Sequence, residues 1–203
     1  MKPLLQIPYS PKDYIPIDLE GLDLQACGVR VLTHLDDHQA QVAYGGYLER
    51  RGIYAGFGHF GGQENVPRNI HLGVDFWAPA GTPVLAPVSG KVHSLAHRLT
   101  PGDYGPVILL EHDMPNGQRL FSLYGHLSPE SLTGLYPGRA IGAGEVLGSL
   151  GLEADNGGYP PHLHFQLIRD LEGYSGDYPG VCSPEELDFY RQNCPDPLPF
   201  LKI

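Results

Sequence analysis

Between residues 66 and 170 no apolar run is long enough to build a helix. The runs at 82–87, 90–96, 107–111, 120–124, 145–150 and 163–168 are short, and each is cut off by Gly or Pro. Runs of this length between turn residues read as strands. With 27 Gly and 20 Pro, the chain is rich in residues that supply the backbone angles of turns. Its 41% hydrophobic content is too high for a disordered chain. The pattern predicts an all-β fold. Asn116-Gly117 predicts the hairpin turn between 107–111 and 120–124.

The 203 residues suit one domain. Three zones separate: an N-terminal extension, 1–65, packed on the core; the strand-dense core, 66–170; and a C-terminal extension, 171–203. Pro3, Pro8, Pro11 and Pro16 predict an extended entry. Apolar–polar alternation predicts strands at 29–33 and 41–44. Helix signals concentrate near the C-terminus. There Ser183-Pro184-Glu185-Glu186 places a cap, a first-turn Pro and acids in order, so a short helix should run to about residue 192. The Pro-rich stretch 195–199 ends it.

A formal net charge of −10 with only 13 Lys and Arg disfavours nucleic acid as a partner. The same charge repels anionic membranes and cell-wall polymers. No stretch approaches the roughly 18–20 apolar residues of a membrane span. Cys27, Cys182 and Cys194 contain no Cys-x-x-Cys pair, which argues against a cysteine metal site; Cys182 and Cys194 could pair in an oxidising compartment. Residues 1–18 carry no apolar core of signal-peptide length, so the expected compartment is the cytoplasm, or an exported one if a leader has been removed.

The ten histidines need context before any becomes a ligand. His34/His38 share a four-residue spacing but sit in a polar stretch that reads as a solvated turn. His93/His97 fall in a strand pattern, where four residues separate the rings by about 13 Å, too far for one ion. His162-Leu163-His164 differs. It opens a strand, so both imidazoles project from one face while Leu163 and Phe165 enter the core from the other. Two adjacent imidazoles suit metal or proton chemistry, and spacing alone allows both as ligands.

Four motifs then occur in one order. His71-Leu72-Gly73-Val74-Asp75-Phe76 is followed by Ala78-Pro79-Ala80-Gly81-Thr82-Pro83-Val84 and Gly90-Lys91-Val92; next come Tyr124-Gly125-His126-Leu127-Ser128, the Gly-rich stretch 138–148, and Pro161-His162-Leu163-His164-Phe165. Together they resemble the LytM/lysostaphin-type zinc metallopeptidases over roughly half the chain. The resemblance implies a twisted antiparallel, sandwich-like sheet with a cleft, and one Zn²⁺ per chain, held by His71, Asp75 and His164, with His126 and His162 as catalytic non-ligands. Two nitrogens and one oxygen with a fourth position left for water is the pattern of a catalytic zinc site.

The expected activity is hydrolysis of peptide amide bonds in glycine-rich or peptidoglycan-type substrates. Two other readings stay open: a zinc amidase acting on a small intracellular metabolite, and a non-hydrolytic regulatory module using the same cleft. The stretch 151–161 departs from the small-residue turn usual before the last motif, so substrate preference hangs on the cleft wall it builds.

Overall fold

The computed structural model describes residues 2–61, 66–115 and 117–203. In chain order its elements are β1 (Tyr14–Pro16), α1 (Leu24–His38), β2 (Val42–Gly45), β3 (Ile70–His71), β4 (Val74–Trp77), β5 (Pro83–Leu85), β6 (Gly90–Arg98), β7 (Gly105–Asp113), β8 (Arg119–Gly125), β9 (Ala140–Ile141), β10 (Val146–Ser149), β11 (His162–Ile168), β12 (Val181–Cys182), α2 (Leu187–Asn193) and α3 (Pro197–Leu201). Eight strands form one sheet in the order β1-β2-β4-β11-β8-β7-β6-β9. All its pairings are antiparallel except β1–β2, and β5–β10 and β3–β12 form two small ribbons.

Each of the six runs expected in the core contains a strand, and 41–44 overlaps β2. Asn116 lies outside the described residues, so its turn is not described; β7 and β8 pair antiparallel on either side of it. The C-terminal helix starts as expected, with Ser183 and Glu186 in a reciprocal capping box ahead of α2.

The strand expected at 29–33 is instead the middle of α1, and His34/His38 lie on its last turns rather than in a loop. Local alternation misled here because a longer period governs. Leu24, Cys27, Val31 and Leu35 line one helical stripe against the N-terminal core. Asp23 caps the helix by accepting from Ala26 N–H at 2.8 Å. His34 and His38 are spent locally, on Pro16 O and His34 O, each at 2.9 Å.

Both faces of the central sheet are covered. Along β7, Ile108 and Leu110 point into one core with Tyr124 and Phe165, while Val107 and Leu109 point into a second with Leu123 and Ile168. The N-terminal Leu4 and Leu5 and the C-terminal Leu201 close the first core; Tyr178, Cys182 and Cys194 close the second. The three cysteines are buried and free. Among the described residues no helix is long and apolar enough to cross a membrane.

Phe165 stands on the strand that carries the paired histidines, and it is fully buried. Phe165→Ala is expected to cost about 3–5 kcal/mol, because the packed sheet cannot collapse into the cavity left behind. A lower urea midpoint at unchanged slope would check it; a midpoint within error of wild type would contradict the packing described.

Candidate metal centre and cleft

Strand register brings the first two candidate ligands together. β11 runs antiparallel to β4, and His164 lies directly opposite Asp75. His71 ends β3, Leu72 and Gly73 lie between it and β4, and this connection passes under the His164 ring. A Cβ on Gly73 would stand 2.7 Å from His164 Cε1, so only glycine lets the chain pass there. The result is a tight triangle: His71 Nε2 to His164 Nδ1 is 2.8 Å, His164 Nδ1 to Asp75 Oδ1 is 3.1 Å, and His71 Nε2 to Asp75 Oδ1 is 3.3 Å. All three residues are buried, and they form a group that could hold a metal ion.

The other atom of each ligand is already committed. His71 Nδ1–H donates to Gly46 O at 2.8 Å, and His164 Nε2–H donates to Gln166 Oε1 at 3.0 Å. Both inward-facing nitrogens are therefore lone-pair donors in the neutral rings, and Asp75 Oδ1 is a third. Three acceptors this close repel one another unless a cation lies among them. The donor set and its outer partners fit a metal ion. Asp75 Oδ2 accepts from Arg51 Nη1. Gln166 in turn donates to Pro179 O at 3.1 Å and to Cys194 Sγ at 3.2 Å, which ties the metal centre to the C-terminal extension.

His126 and His162 stand beside this cluster, their ring centroids 4.2 Å apart. His126 Nδ1–H donates to Asn156 O and His162 Nδ1–H to Pro160 O, both at 2.7 Å. Each neutral ring therefore presents an unprotonated Nε2. His126 is held at φ 63°, a left-handed conformation uncommon outside glycine and Asn. Its own N–H donates to Tyr104 O at 2.9 Å, and its carbonyl accepts from Gly151 N–H at 3.0 Å. Strain held from both sides is typical of a functional turn.

Burial dominates the electrostatics. It pushes the His71 pKa down to about 4, helped by the Arg51 cation. Burial also pushes His126 well below the usual histidine range, with His162 adding to the effect, and it lowers His162. Burial opposes ionisation of Asp75 too, but the charges of His71 and Arg51 outweigh it and hold that carboxyl well below its usual range.

These shifts set a stability profile. Between the ordinary value of 6.5 and about 4, the unfolded chain binds a proton at His71 that the folded chain excludes. Stability must then fall as pH drops through that window, by up to about 1.4 kcal/mol per pH unit for each such histidine. His126 and His162 act in the same direction. Urea midpoints of the metal-free protein should decline steadily across the window; a flat profile would mean these rings are not buried neutral.

The cluster opens on a cavity of about 740 Å³. Its lining draws on Ile53 and Tyr54 from the N-terminal segment, Tyr104, Tyr159 from the 151–161 stretch, and Tyr178 and Glu185 from the C-terminal extension. Asn156 fixes the wall: its side chain bonds Tyr159 N and O, each at 3.0 Å, and Tyr159 O–H donates to Gly102 O at 2.8 Å. The residues that sequence reasoning missed are Arg51, Tyr104 and Gln166; Asn156 lies in the 151–161 stretch expected to build the wall. Only Gln166 left a signal, since the two-residue period that aligns His162 and His164 includes it. His93 and His97 contribute nothing to the centre: β6 slips register between Val92 and Ser94, and His93 bonds Ser94 Oγ at 2.9 Å.

Comparison with known proteins gives consistent likenesses. The model of Peptidase family M23 matches residues 69–175. The DD-carboxypeptidase/endopeptidase Mpg of Neisseria meningitidis serogroup B is 36% identical over 97 residues, which span 48% of this chain and 20% of that protein. Lysostaphin of Staphylococcus staphylolyticus is 31% identical over 176 residues, 86% of this chain and 29% of that protein. The solved catalytic domain of lysostaphin from Staphylococcus simulans is 31% identical, with 66% of this chain and 81% of that chain covered at a TM-score of 0.44. The chain thus spans less than a third of these curated relatives.

Proposed function

The chain belongs to peptidase family M23, and on that premise we propose that it is a zinc-dependent metalloendopeptidase acting on glycine-rich or peptidoglycan-type peptides. The observation that carries the reading is the convergence of His71 Nε2, Asp75 Oδ1 and His164 Nδ1 within 3.3 Å of one another, beside two non-ligand histidines and a cavity. His71, Asp75 and His164 would hold one zinc ion. When bound, zinc supplies a Lewis acid that lowers the pKa of water towards about 7 and polarises a carbonyl oxygen.

The remaining chemistry belongs to His126 and His162. Their backbone hydrogen bonds fix the tautomer with Nε2 free, and burial keeps them neutral at neutral pH. A neutral Nε2 can take a proton from attacking water and return it to the leaving amine. Two rings this close cannot both be charged cheaply, so the pair carries one proton at a time. The protonated member stabilises the developing oxyanion while its neighbour stays a base.

The test is a screen of soluble oligoglycine and peptidoglycan-type peptides with zinc, with chelator, and with zinc restored. Cleavage lost on chelation and regained with zinc is expected. Soluble peptides should be cut faster than intact anionic walls at low salt, since a net charge of −10 repels the wall until salt screens it. Fully metallated protein that cleaves none of these peptides overturns the reading. Turnover of small amides would then identify a metabolite amidase, and no turnover at all a binding module.

A further inference from the structure

We propose that Arg51 is a positioning residue that holds Asp75 as a one-oxygen ligand and so keeps the fourth coordination position open. The inference rests on the zinc reading above. A carboxylate with both oxygens free can bind a metal through one or both of them. Two-oxygen binding by Asp75 would give the metal a fourth protein donor and push water to a fifth position, crowding the place that substrate needs. In this fold Oδ1 faces the two histidines while Oδ2 is taken by Arg51 Nη1. His162 Nε2 stands 3.9 Å from Oδ2, beyond hydrogen-bond distance.

Arg51 is itself held rigidly. Its Nε–H donates to Glu49 Oε2 at 2.7 Å, and the other oxygen of Glu49 accepts from Leu19 N–H at 2.8 Å. Its guanidinium carbon lies 5.5 Å from the centre of the Trp77 ring, which stacks in turn beside His162. The Nη2 corner fills the place of an absent side chain, because a Cβ on Gly46 would overlap it. A planar guanidinium fork anchored at Nε has little freedom to release Oδ2. The role proposed is one of geometry, which a coordination probe reads directly.

Cobalt(II) loaded in place of zinc is that probe, since its visible absorption is strong in four-coordinate sites and much weaker in five-coordinate ones. Arg51→Met is expected to bind one cobalt ion with absorption several-fold weaker than wild type. Arg51→Lys, which can reach Oδ2 with a single donor, should recover most of the wild-type spectrum. An Arg51→Met spectrum equal to wild type overturns the proposal. Should Arg51→Met fail to fold, Glu49→Ala decides the matter: it removes the acceptor that anchors Nε and should weaken the absorption in the same direction, and an unchanged spectrum overturns the proposal equally. Wild-type protein that takes up no metal would instead sink the zinc reading.

Discussion

His164→Ala is expected to empty the metal centre and reduce hydrolysis to background while the sheet stays folded. In the proposed site His164 is one of three protein ligands, and two cannot hold a catalytic ion against dilution. Enzymatic acceleration is on the order of 10⁶-fold or more, so losing the ion removes nearly all of it. His71→Ala should behave alike. Asp75→Ala is a poorer test, although it also removes a ligand. It removes one of the two carboxylates that hold the Arg51 cation, which is only 3% exposed, and leaves it Glu49. Breaking a buried pair in this way costs about 3–5 kcal/mol, so loss of metal would be mixed with loss of fold. The measurement is zinc content per chain after dialysis, alongside circular dichroism. A His164→Ala protein that retains one zinc per chain would remove this residue from the metal centre.

The contrast between ligands and their supports shows what a sequence makes visible. The strands of the core are legible because short apolar runs and turn residues are local signals. His162, His164 and Gln166 share a face for the same reason. Which of the two histidines meets the metal is not local. It depends on the register that sets His164 opposite Asp75, 89 residues away. Resemblance to a family assigns that pairing; spacing alone leaves it open. α1 was hidden by alternation at 29–33 that imitates a strand, and its true period shows only when Leu24, Cys27, Val31 and Leu35 are counted together. Arg51 left no trace, because Asp75, 24 residues further along the chain, becomes its neighbour only when β2 pairs with β4. The motifs span 71–165, yet Gly46, Arg51, Pro179 and Cys194 all support the centre from outside them.

His126→Ala and His162→Ala are each expected to keep the zinc and lose turnover by about 10²-fold or more, the usual scale for a general acid–base group. Neither ring belongs to the triangle of ligand atoms, so neither loss should release the ion. The two changes should not add. If the rings share one proton, removing either disables the pair, and the double variant should be little worse than the single ones. His126 needs a control, because alanine fits poorly at a φ of 63°. Asn tolerates that backbone, so His126→Asn separates lost chemistry from a distorted turn. If His126→Asn restores most of the activity, the ring's role is structural. The decisive comparison is metal content: His162→Ala protein that loses its zinc would make His162 a ligand, and the division of labour between His162 and His164 would have to be reversed.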